Sequence, residues 1–189
     1  MTAGLWWLAV GCTEPDAPAD ETGVETGVET GFEEAPGTRG VWAWRSTGQP
    51  NGTDVVVGDP GLEDAMVAKL KAWGVGRVYG SYGDRPVEEP ETIAAWNAKL
   101  DAAGIDSQLL LGDPGYLQQE HWASLDEKLQ QRVLDFNAGR DPAERFDAVH
   151  LDIEPHGASD WSEVDDAERY QRLLLLTEVY AHVRTLLDQ

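Results

Sequence analysis

A single cysteine, Cys12, occurs among the 189 residues, so no disulfide can form within the chain in any compartment. Bases are scarce: 14 Lys and Arg face 35 Asp and Glu, for a formal net charge of −21. So acidic a chain repels polyanions, which argues against nucleic acid or an anionic membrane surface as a partner. No Gly-x-Gly-x-x-Gly loop and no Walker-type glycine-lysine loop occurs, which disfavours a nucleotide-binding open sheet. No cofactor or resident metal is expected.

The apolar run at the start is short. Residues 1–12, Met-Thr-Ala-Gly-Leu-Trp-Trp-Leu-Ala-Val-Gly-Cys, carry no charge but cannot span a bilayer as a helix. They look like the apolar half of a secretory signal without its basic start. Ala9-Val10-Gly11-Cys12 resembles a bacterial lipobox, which implies acylation at Cys12 and an extracytoplasmic lipoprotein, or a secreted one. On this reading the lipid is the only membrane contact. Residues 13–40 change character, with tandem Glu-Thr-Gly-Val units at 21–24 and 25–28 and −7 of the net charge. Low hydrophobicity and high charge predict a disordered acidic linker. A calcium-binding repeat is the sharper alternative, but each unit offers too few ligand oxygens.

Residues 41–189 read as four strand-helix units. Strands are expected at Val41–Ser46, Gly76–Tyr82, Ser107–Leu111 and Ala148–Ile153, from their β-branched and apolar runs. The first helix should open at Asp59-Pro60, carry Leu62, Met66, Leu70 and Trp73, and stop at Gly74. The second should run from Pro90 to about Ala103, with Ile93, Trp96 and Leu100 as its stripe. Ser124-Leu125-Asp126-Glu127 reads as a capping box for the third, and Ser162 as the cap of a long helix over 163–187.

Strict β-α alternation implies a parallel sheet. Either an open doubly wound sheet or part of a (β/α)8 barrel fits. Polar or aromatic residues at four successive strand ends favour the TIM barrel: Trp44/Arg45, Ser81/Tyr82, Gly112/Asp113 and Asp152/Glu154. The 149 residues from 41 to 189 are short of the roughly 250 of a full barrel. The expectation is therefore a partial α/β domain, the N-terminal half of a barrel in a longer reading frame. Two half-barrels pairing as a homodimer, or a sheet that stays open, are the alternatives.

The informative stretch is residues 146–156, Phe-Asp-Ala-Val-His-Leu-Asp-Ile-Glu-Pro-His. His150, Asp152 and Glu154 recur every second residue, which puts all three on one strand face and Val149, Leu151 and Ile153 on the other. Three ionisable groups in a row are costly in a plain core and make sense where a pocket opens. Pro155 suits a strand's exit. A buried ion-pair network or a half-solvated edge strand is the plainer reading.

This stretch resembles the fourth-strand signature of chitinase-type glycoside hydrolases, Asp-Gly-x-Asp-x-Asp-x-Glu. Asp147, Asp152 and Glu154 match, while Ala148 stands for the Gly and His150 for the middle Asp. The resemblance implies a general acid at Glu154 and, at Asp152, a carboxylate that orients a substrate N-acetyl group. His150 and Asp147 would support them. Trp42, Trp44, Arg45, Tyr82, Asp113 and Tyr116 lie near strand ends, where a carbohydrate substrate or ligand could bind, although aromatics also fill cores. Glu154-Pro155 is also similar, less closely, to the Asn-Glu-Pro of retaining β-glycosidase barrels. The domain as a whole looks similar to secreted bacterial barrels with a Leu-Asp-Ile-Glu-Pro strand. Two further functions compete. One is a metal-dependent barrel phosphodiesterase or isomerase with His150, Asp152 and Glu154 as ligands. The other is a non-catalytic surface lipoprotein that binds glycans or partners.

Overall fold

The computed structural model describes residues 39–188. The segment 1–12 with Cys12, and the linker up to residue 38, lie outside the described residues.

The described chain is mixed α/β, with four parallel strands and six α-helices. In order these are β1 (Arg39–Ala43), α1 (Thr53–Val56), α2 (Pro60–Ala72), β2 (Val75–Gly80), α3 (Arg85–Glu88) and α4 (Pro90–Ala102). Then come β3 (Asp106–Leu111), α5 (Trp122–Leu129), β4 (Ala148–Leu151) and α6 (Asp166–Leu187). Strand order in the sheet is β1-β2-β3-β4. Register pairs Val41 with Val78 and Trp42 with Tyr79, then Tyr79 with Gln108, then Leu110 with His150.

Period-two alternation sorts the sheet into two unlike faces. Val78, Leu109, Leu111, Val149 and Leu151 join the core together with Leu70, Trp96, Leu100, Leu129, Val133 and Val183 from the helices. A strand order that never reverses, with crossovers of one hand, sends every helix to that same side. Side chains such as Ile93, Leu100, Leu125 and Leu129 are fully buried there, each contributing about 1.5–3 kcal/mol. The opposite face carries Trp42, Arg77, Tyr79, Gln108, Leu110 and His150.

Boundaries moved where side chains found other partners. β1 begins at Arg39 and stops at Ala43, so Trp44, Arg45 and Ser46 lie beyond the strand. Asp59 caps α2 as expected, accepting from the Gly61 and Leu62 N–H groups, and Gly74 takes φ +67° after it. Only Leu70 of the expected α2 stripe is fully buried; Leu62 and Trp73 are exposed. Ser124 is not a cap. Short 3-10 turns at Pro114–Leu117 and Gln119–His121 lead straight into α5, and the Trp122 indole N–H donates to the Tyr116 carbonyl, so the helix starts at Trp122. α5 then passes into a π-helical stretch at Gln130–Asp135. Ser162 is not a cap either. Arg172 donates two bonds of 2.7 Å to Asp160, holding the preceding turns, and Asp165 caps α6 by accepting from the Glu168 N–H.

Candidate functional site

At the C-terminal edge of the sheet, β4 runs out into Asp152, Ile153 and Glu154. The Asp152 N–H still donates to the Leu111 carbonyl at 2.8 Å, so the chain stays extended one residue past the strand. That approach needs Gly112, because a Cβ there would lie 2.4 Å from the Asp152 carbonyl oxygen. Ile153 is buried in the core, Asp152 is half-buried and Glu154 is exposed. The Glu154 carboxylate lies 3.8 Å from the His156 imidazole, and its side chain is 59% exposed.

Behind Asp152, His150 is 3% exposed. Its ring stacks on Tyr79 at 4.1 Å and meets Trp42 edge-on at 6.0 Å. Trp42 stands on the first strand and His150 on the fourth, about 14 Å apart along a flat sheet, so the side chains of this face converge. Burial pushes the His150 imidazole below its ordinary pKa, with the Asp152 carboxylate pulling the other way. Its Nδ1 is buried without a hydrogen-bond partner. This atom therefore makes no hydrogen bond to Asp152.

The other sequence-selected residues do not all gather here. Trp44 is 51% exposed just past β1. Arg45 pairs with Asp54 at 3.1 Å and leans over Gly83. Tyr82 is fully buried on the helix side, where its hydroxyl accepts from the Trp96 indole at 2.9 Å and its ring stacks on Phe146. Burial pushes its phenol up to about 12. It is a core residue with no face for a ligand. Tyr116 is buried as well, its hydroxyl accepting from Lys128. Asp113 is occupied in a turn, where its carboxylate accepts from the Gly115 N–H. Asp147 lies at the opposite end of β4, where it accepts from the Ser107 N–H at 2.7 Å. Burial raises its pKa, and the charges of Asp106 and Asp101 add to that against the Ser107 bond. Asp152 neighbours His150, which packs against Trp42, while Glu154 and Trp44 lie exposed past the fourth and first strands.

Sequence reasoning missed Tyr79 and Gln108, which complete the inner face between Trp42 and His150. A glutamine directly before the apolar run Leu109-Leu110-Leu111, within the strand, was the available signal. Among the described residues no three His, Cys, Asp or Glu side chains lie close enough to hold a metal ion. His150, Asp152 and Glu154 are not drawn together as such a group. No family model matches the chain, and neither does any curated protein or solved structure.

Proposed function

We propose that the described domain is a half-barrel of glycoside hydrolase type and handles carbohydrate at the C-terminal end of its sheet. The observation that carries this reading is the position of Asp152 and Glu154 at the exit of the last parallel strand. Exposed Trp42 and Trp44 stand at the exit of the first. Ligands of parallel α/β sheets bind beyond the carboxyl ends of the strands. Indole faces stack on the apolar faces of sugars, while carboxylates take their hydroxyl and amide protons.

In this scheme Glu154 gives its proton to the glycosidic oxygen as the bond from that oxygen to the anomeric carbon breaks. Asp152 accepts a hydrogen bond from the substrate's acetamido N–H, whose own carbonyl oxygen attacks the anomeric carbon. Neutral, buried His150 supports the floor beneath Asp152. Lipid attachment at Cys12 would hold the site at the outer face of a bacterial envelope.

The exposure of Glu154 to water favours a second reading, glycan binding without hydrolysis. One experiment decides both. Full-length chain is assayed on a chromogenic N-acetylglucosaminide and, in parallel, for retention on chitin. Hydrolysis that falls by about 10²-fold or more in Glu154→Gln, as loss of a general acid requires, supports the enzyme. Retention that survives Glu154→Gln but is lost in a Trp42→Ala/Trp44→Ala double variant supports the binder. Absence of both hydrolysis and retention refutes the carbohydrate reading.

A further inference from the structure

We propose that a second copy of this chain closes the open side of the sheet, two four-stranded halves meeting about a two-fold axis as one eight-stranded ring. Among the described residues, β1 and β4 each pair on one side only. The two ends of the sheet also carry apolar surfaces of opposite shape. Beside β1 lies a groove of about 380 Å³, walled by Val41, Met66, Leu62 and Trp73, with Trp73 58% exposed. Beyond β4, α6 presents Tyr170, Leu173 and Leu174 to solvent. Exposed apolar groups in continuous patches mark surfaces that partners cover.

The first two strand-helix units say which surface meets which. α2, which follows β1, packs on β2, and α4, which follows β2, packs on β3. By the same rule α6, which follows β4, should cover the strand next to β4. In the paired arrangement that strand is β1 of the other copy, and its flank is the groove. The charges agree: Lys69 lines the groove, and Glu178 stands exposed on α6 below Leu174. A two-fold axis makes both contacts twice, so the assembly closes rather than growing into a fibre.

The inner face shows the same incompleteness. Arg77 Nε, Gln108 Oε1 and His150 Nδ1 are buried there without hydrogen-bond partners. On the helix face of the same sheet, Ser107 and Asn97 satisfy one another at 2.7 Å. Polar groups left unpaired in a finished interior are costly.

The proposal rests on the half-barrel reading and is independent of the carbohydrate reading. Full-length chain is measured by light scattering at low and high protein concentration. The expected mass is twice the 20.7 kDa of one chain. Leu174→Asp on the ridge and Trp73→Glu at the groove, both at exposed positions, should each give a folded monomer by circular dichroism. Lys69→Glu should also shift the mass toward the monomer, and adding Glu178→Lys should restore the dimer. A monomer at every concentration, or a dimer that Leu174→Asp and Trp73→Glu leave intact, overturns the proposal. A monomer that still retains glycan overturns the dimer alone; a dimer indifferent to glycans overturns only the carbohydrate reading.

Discussion

His150 is the residue whose surroundings make the sharpest demand. A neutral imidazole under Trp42 and against Tyr79 has a lowered pKa because burial disfavours its charged form. The unfolded chain, with an ordinary histidine of pKa about 6.5, therefore binds the proton first. Stability contributed by the neutral ring is complete above that value and is lost as the pH falls below it toward the folded-state pKa. The thermal midpoint should drop on mild acidification, and His150→Gln should flatten that part of the profile. An unchanged acid slope in His150→Gln would show that other groups carry it. Asp147 illustrates how the same chemistry can serve structure: its carboxylate meets the Ser107 N–H where β3 and β4 begin, far from Glu154. The aspartate that the resemblance matched first is a strand clasp here.

Among the elements, α6 depends most on its start. It has 22 residues, yet only Val179, Val183 and Leu187 are fully buried, all in its C-terminal half. The N-terminal half is held by the Asp165 cap and by Arg172, which reaches both Asp160 and Glu168. Removing the cap with Asp165→Ala should cost about 1 kcal/mol, read as an earlier denaturant midpoint with an unchanged slope. Amide exchange should quicken over the first turns of α6 and leave Val179 to Leu187 protected. Uniform quickening along the helix would contradict this division. His182, stacked on Trp122 and bonded to Asp126 at 2.6 Å, pins the other half to α5.

At the scale of the whole molecule, like-charge repulsion opposes folding. Residues 41–189 carry −14 of the −21, and like charges repel most strongly in the compact state. Moderate salt screens exposed charges beyond about 8–10 Å. The thermal midpoint should therefore rise from low to physiological salt, by roughly 2–4 °C for each kcal/mol of repulsion removed. A midpoint that falls with salt would show that exposed ion pairs such as Arg45–Asp54 and Arg132–Asp84 outweigh the repulsion.

The sequence by itself determined the order of the units, the parallel sheet and the face on which His150 stands, because alternation and helical spacing are local properties of a chain. Asp59-Pro60 marked a helix start for the same reason, since an Asx cap acts within its own turn. Only the tertiary structure decided where the caps Ser124 and Ser162 were overruled, because Trp122 and Arg172 are held by residues 6 to 12 positions away. It also separated Tyr82 and Tyr116, buried among helices, from Trp42 and Trp44, exposed at the edge. Side-chain direction past the last ladder bond is set by what packs there, and no local pattern records it. The juxtaposition of Trp42 with His150 across three strand spacings has the same origin, in the shape of the sheet as a whole.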